Sequence, residues 1–153
     1  MTEAPYQVLL YYFYVEIADP DAYRDEHRVL CESLGLLGRI IVGNEGINGT
    51  VSGTVASCQK YMEALRNDPL TANVEFKIDP ELGHVFPKLS VQSRVEIVSL
   101  GLGDEDFSPS ETTGNYLNPQ QWKEAMNDPN AVIIDTRNDY EWKLGKFKNA
   151  ILP

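Results

Sequence analysis

The segment running from Tyr6 to Ile17, YQVLLYYFYVEI, restricts the fold more than any other part of the chain. Its residues are apolar or aromatic on both alternating faces, which suits a central strand covered on at least one side by helices. The rest of the sequence must therefore supply that cover. Asp19-Pro20-Asp21 opens a helix, with Asp19 as its cap, Pro20 in the first turn and acids near the N-terminus. This helix reads on to about Leu34, where Gly35 stops it. Two short strands follow, Gly38–Val42 and Ile47–Ser52, joined by Gly43-Asn44-Glu45-Gly46, a turn rich in residues that tolerate positive φ. Thr54 caps a second helix over Val55–Asn67, closed by Asp68-Pro69. Val74–Ile78 alternates as a strand, Asp79–Ser90 reads as a loop with two prolines, and Val91–Leu100 as a last strand. The order is the split βαβ arrangement of an α+β, ferredoxin-like βαββαβ domain over residues 1–100. Two helices on one face of such a sheet would bury Cys31 and Cys58 as small hydrophobes.

Residues 101–115, GLGDEDFSPSETTGN, are poor in apolar side chains and read as a linker. Asn118-Pro119 then caps a helix over Gln120–Met126. Ala131–Ile134 reads as a short buried strand running into Asp135 and Arg137, with a helical stretch at Tyr140–Leu144 and a second apolar step at Ala150–Leu152. This is the opening of an α/β domain, which needs several such strands under helices on both faces. Residues 116–153 are thus expected to be an incomplete domain, and the chain a fragment or a naturally shortened protein.

The composition limits the partners. Acids outnumber bases 23 to 13, so the net charge is −10, and bulk electrostatic attraction to nucleic acid is excluded; any RNA contact needs a local basic patch. No run approaches about 18 consecutive apolar residues, which argues against a membrane-spanning helix. Glu3 stands where a secretory leader needs a basic flank, so a cytoplasmic location is expected.

Three constellations can carry chemistry. The first is Gly43-Asn44-Glu45-Gly46-Ile47-Asn48-Gly49-Thr50, where exposed amides and the side chains of Asn44, Glu45 and Asn48 can meet a small anion or RNA at one tip. The competing reading is a β-hairpin whose glycines serve the turn. The sequence is no P-loop, because no Gly-Lys-Ser/Thr follows. The second is Asp135-Thr136-Arg137 at the end of a parallel strand, where α/β folds place their sites; an ion pair that fixes the turn is the alternative. The third is the pair of histidines. His27 falls on the apolar face of the first helix and reads as packed, and His84 lies in a loop. No His/Cys cluster has metal-ligand spacing, and no metal or other cofactor is evident.

Taken together, several stretches resemble the rhodanese-related tRNA uridine hydroxylases. They are Tyr12-Phe13, GRIIVGNEGINGTVSG at 38–53, FPKLSVQSRVEIVSLG at 86–101, YLNPQQWKE, and VIIDTRNDYEWKLGKFKNAI. The resemblance implies an acylphosphatase-like domain joined to a rhodanese domain. It implies oxygen-dependent hydroxylation of the wobble uridine of tRNA to 5-hydroxyuridine, with molecular oxygen as co-substrate. It places the essential loop cysteine after Pro153, so no catalytic residue is expected within residues 1–153, and Asn44, Glu45, Asn48 and Arg137 remain as substrate-binding candidates. Two alternatives remain. One is a non-catalytic RNA- or protein-interaction domain, in which either Tyr11 and Phe13 or Tyr12 and Tyr14 stack bases. The other is a small phosphatase of the acylphosphatase type. Such enzymes need an arginine in a Gly-rich loop after the first strand, whereas here Ala18-Asp19-Pro20-Asp21 is acidic and Arg24 lies within the helix.

Overall fold

The computed structural model describes residues 4–98 and 114–152, and the chain divides into two compact units, Met1–Thr113 and Gly114–Pro153. Most of the predicted linker, 101–113, lies outside the described residues. The first unit runs β1 (Tyr6–Tyr14), α1 (Pro20–Ser33), β2 (Leu37–Gly43), β3 (Gly46–Thr54), α2 (Val55–Asn67), β4 (Lys77–Glu81) and β5 (Leu89–Ser93). The sheet order is β4-β1-β3-β2-β5. Every pairing is antiparallel except β2 with β5. The α+β class and the helix–sheet order expected from the sequence are present.

Strand β1 is central, as its two-faced apolarity requires. It is paired on one side with β3 along its whole length and on the other with β4. One face carries Leu9, Tyr11, Ile40, Val42, Ile47 and Val51, packed under α1 and α2 against Cys31, Cys58, Tyr61, Met62 and Leu65. Both cysteines are free and buried. Asp19 accepts from the Ala22 amide to start α1 (3.0 Å), and Thr54 accepts from the Ser57 amide to start α2 (3.1 Å).

Tyr11 locks these layers together. Its register partner on β3 is Gly49, and the phenol ring lies across that glycine; a Cβ there would collide with the ring. The ring thus takes the place of the side chain that β3 lacks, and it meets Phe76 edge-on at 5.2 Å. Its hydroxyl shares a hydrogen bond with the Tyr61 hydroxyl on α2.

Three elements differ from the sequence expectation. The strand predicted at Val74–Ile78 is observed at Lys77–Glu81. The Val74 amide instead closes a turn on Thr71, and Val74 and Phe76 drop their side chains onto the core before the ladder with β1 begins. Pro80, expected in a loop, sits within β4, where an edge position needs no donor on its outer side. The last strand occupies Leu89–Ser93 rather than Val91–Leu100 and runs parallel to β2 at the far edge. Residues 82–88 must therefore cross the sheet from edge to edge. Four strand spacings of about 4.8 Å are about 19 Å; seven extended residues reach about 25 Å. The crossing is accordingly taut. It passes over the helix-free face, where the Val85 amide donates to Ser52 Oγ (3.3 Å) and the His84 ring packs edge-on to Tyr6 at 5.0 Å. At its end Arg28 of α1 donates to the Val91 carbonyl (2.6 Å).

The second unit holds α3 (Pro119–Asn127) and α4 (Asp139–Leu144). Asn118 and Gln121 form a reciprocal capping box at the start of α3. Trp122 meets Phe147 edge-on at 5.3 Å, and Lys146 Nζ lies 3.3 Å over the Trp142 ring. The strand expected at Ala131–Ile134 is reduced to one parallel bridge, Ile134 with Ile151. It is not buried: Val132 is 68% and Ile134 58% exposed, because among the described residues no second layer covers them.

Two substitutions test the Tyr11 lock by urea unfolding. Gly49→Ala should lower stability by about 2 kcal/mol through overpacking. Tyr11→Phe, which keeps the ring and loses one hydroxyl, should cost about 1 kcal/mol. Equal and negligible effects would show that the ring does not hold β3.

Candidate functional site

The hairpin tip brings Asn44, Glu45 and Asn48 together, and each makes a defined contact. Residues 44 and 45 form a two-residue loop between β2 and β3. Asn149 is the one non-glycine at positive φ among the described residues, so Asn44 does not use its tolerance for that region. The Asn44 carboxamide donates to the Ile17 carbonyl (3.3 Å), and its own carbonyl accepts from the Ile17 amide (2.9 Å). Glu45 Oε1 accepts from the Ile97 amide (2.7 Å), and Asn48 Nδ2 donates to the Ile97 carbonyl (2.9 Å). Both polar groups of one peptide residue are thus taken by side chains of the tip. Ile97 is buried, and its Cγ2 lies against Gly43, where an added Cβ would come within 3.1 Å of it. The Arg94 amide donates to the Val42 carbonyl (2.9 Å), extending β5 toward this clamp. The tip therefore grips the segment after β5.

Arg137 belongs to the second unit. Its Nε and Nη2 reach Asp135 at 2.9 and 2.7 Å, the Asp135 carboxylate also accepts from the Arg137 amide, and Nη2 reaches the Gly145 carbonyl (2.8 Å). The adjoining guanidinium holds the Asp135 carboxyl below its usual range. The arginine fixes the turn and remains about half exposed, so its outer edge is open to a ligand.

Sequence reasoning treated His27 only as a packed residue, and the structure gives it a defined place. A cleft of about 130 Å³ between α1 and α2 is lined by Tyr23, Glu26, His27, Leu30, Leu65 and Asp68. His27 Nε2 lies 2.9 Å from the Tyr61 hydroxyl, and Tyr23 donates to Asp68 (2.8 Å). Proton counting orders the buried chain. With the proton on Nδ1, Tyr11 donates to Tyr61 and Tyr61 donates to His27, and every donor is satisfied. With the proton on Nε2, the Tyr11 proton has no acceptor among the described residues. Burial lowers the His27 pKa to about 4, with Asp68 opposing the shift. Burial likewise pushes the Cys31 thiol up to about 12, so it is an inert thiol rather than a nucleophile.

Arg24 pairs with Asp21 at 2.6 Å and with Asp25 at 2.9 Å, which leaves the phosphatase reading without a free guanidinium after β1. Among the described residues no three His, Cys, Asp or Glu side chains group as metal ligands, and no helix is long and apolar enough to cross a membrane.

Two outcomes follow from this geometry. In Glu45→Gln the Ile97 amide should lose at least about tenfold of its hydrogen-exchange protection while the β1 amides keep theirs; unchanged protection at Ile97 would remove the clamp. The second concerns pH. A histidine lowered from about 6.5 to about 4 binds its proton more readily in the unfolded chain. Its contribution of about 3 kcal/mol is complete above pH 6.5 and is lost as the pH falls toward 4. Unfolding free energy followed from pH 7 to pH 4 should decline less steeply in His27→Gln than in the parent.

Comparison with known proteins places this geometry. Residues 6–97 match the family described as the UPF0176 acylphosphatase like domain. A protein of Bacillus cereus (strain G9842) named tRNA uridine(34) hydroxylase is 54% identical over 152 residues, covering 99% of this chain and 47% of that protein. Its namesake in Oceanobacillus iheyensis is 53% identical over 148 residues, 97% of this chain and 46% of that one. The chain thus spans about half the length of the curated relatives it matches. The solved dark-state structure of BlrB, a BLUF protein, aligns at TM-score 0.50 with 23% identity, over 60% of this chain and 75% of that one, a likeness of fold alone. With its sheet, its two covering helices and the matched residues 6–97 in agreement, the chain belongs to the family of the UPF0176 acylphosphatase like domain.

Proposed function

We propose that this chain is the N-terminal, substrate-handling part of an enzyme that hydroxylates the wobble uridine of tRNA to 5-hydroxyuridine, with molecular oxygen as co-substrate. The observation that carries this is the 54% identity across 99% of the chain to a protein named tRNA uridine(34) hydroxylase, twice its length. The reaction is assigned to the part of the relatives that this chain does not match. Both cysteines here are buried among apolar side chains, and neither sits in a cradle of amides that would activate a thiolate.

The second unit supports the reading of an α/β, rhodanese-type domain opening at residue 116. Its bridge between Ile134 and Ile151 is parallel, and Asp135 and Arg137 stand directly after it, where parallel sheets carry their sites. The apolar side chains of that bridge are exposed, and the indole N–H groups of Trp122 and Trp142 are buried without an acceptor among the described residues. A further layer would cover the first and supply partners for the second. In this reading Arg137 offers its exposed edge to substrate, while Asn44, Glu45 and Asn48 act on substrate through the segment they hold. The working location is the cytoplasm, with tRNA as partner.

The test is a fusion. The chain joined to the unmatched half of the Bacillus cereus relative should restore 5-hydroxyuridine, in an oxygen-dependent manner, to cells lacking that relative. The chain alone should restore none. A folded fusion without activity, or activity from the chain alone, would overturn the proposal.

A further inference from the structure

The helix-free face of the sheet is crossed by chain at both ends and open between. At one end residues 82–88 pass over the row that joins Val8, Ser52 and Leu37, with His84 Nδ1 3.3 Å from Ser52 Oγ. At the other, Ile97 is clamped beside Gly43 and Asn48. The row between them is fixed by register: Lys77, Leu10, Thr50, Arg39 and Ser90 lie side by side on five successive strands. Tyr12 stands one pleat further along β1 and is 46% exposed; Leu10 is 39% exposed. Lys77 and Arg39 are exposed, and neither has an ion-pair partner among the described residues. Three strand spacings separate them, about 14 Å. The carboxylates of this face, Asp79 and Glu81, fall on the rows beneath and beyond the 82–88 crossing, outside this strip.

We infer that this strip, from Lys77 past Leu10 and Tyr12 to Arg39, seats a single-stranded stretch of RNA laid across the strands, its phosphates at the two cations and a base against the Tyr12 ring. The inference rests on the proposed function above, in which the substrate is tRNA, and adds the surface that receives it. Width and chemistry select the occupant. The two crossings stand about four residues apart along the strands, about 13 Å between centres. Side chains of both crossings narrow this gap, so a helix about 10 Å across does not lie flat in it. An extended peptide finds no ladder to join on the face of a sheet, since its backbone groups are paired in plane. A single nucleic-acid strand needs neither. It needs cations spaced along its backbone and an aromatic face, which any base can use. The acid excess of the chain as a whole makes the interaction local and dependent on salt.

The test is fluorescence anisotropy of the whole chain with a labelled, uridine-rich single strand, over a range of salt concentrations. Arg39→Gln and Lys77→Gln should each weaken binding about tenfold and lower the slope of log affinity against log salt by about 0.7. Tyr12→Ala should weaken it about tenfold and Tyr12→Phe should retain it. Lys60→Gln, on the outer side of α2, should change nothing; circular dichroism confirms that each variant folds. Equal binding by the parent and all strip variants would overturn the strip and leave the tRNA reading standing. A parent chain that binds no RNA at low salt would overturn the strip, and hydroxylation by the fusion then decides separately whether the reading falls with it. Concentration-dependent dimerisation lost in Tyr12→Ala would assign the strip to a second copy and would also overturn the inference.

Discussion

The arrangement depends on one tyrosine. The Tyr11 ring fills the space that Gly49 leaves on β3, and its hydroxyl begins a buried chain through Tyr61 to His27. That single side chain joins β1 to β3 within the sheet and joins the sheet to α2 and then to α1. Apolar burial supplies the bulk of the driving force, but it is not directional. The hydroxyl chain is directional: it sets which turn of α2 faces which turn of α1. With the helices on one face fixed in this way, the other face is left to be covered by loops alone.

Those loops explain why the tip motif is rich in both glycine and polar side chains. Gly49 makes room for Tyr11 on the helix side, and Gly43 makes room for Ile97 on the other. Glu45 and Asn48 then take the two backbone groups of Ile97, much as a neighbouring strand would. A run that reads as an open cradle of amides is therefore already occupied by the protein's own chain. Its influence on a substrate is exerted by holding the segment that follows β5 and so defining one wall of the open strip.

Much of this was legible in the sequence, for physical reasons that can be named. Strand β1 and the caps of α1, α2 and α3 follow from local pattern, and the Asp135–Arg137 pair is two residues apart, so all are visible in short windows. The capture of Ile97 was not legible, because Glu45 and Asn48 lie about fifty residues away from it, and no local rule pairs a carboxylate with a distant backbone amide. The shift of β4 by three residues was hidden because Val74 and Phe76 carry the strand-like alternation while packing outside the ladder. The parallel placement of β5 comes from a taut crossing whose length, rather than its composition, decides where it ends.

The edges of the sheet carry a consequence for self-association. A sheet grows by offering unpaired backbone groups to another chain, and a protein at cellular concentration must discourage this. Here one outer strand is KIDPE, short, with Pro80 lacking a donor and Lys77, Asp79 and Glu81 charged. On the other, the Arg28 guanidinium has already claimed the Val91 carbonyl. Neither margin is a ready template, so this five-stranded sheet is terminated at both sides and resists runaway edge-to-edge polymerisation, even though the strand at its centre is among the most aggregation-prone segments in the chain.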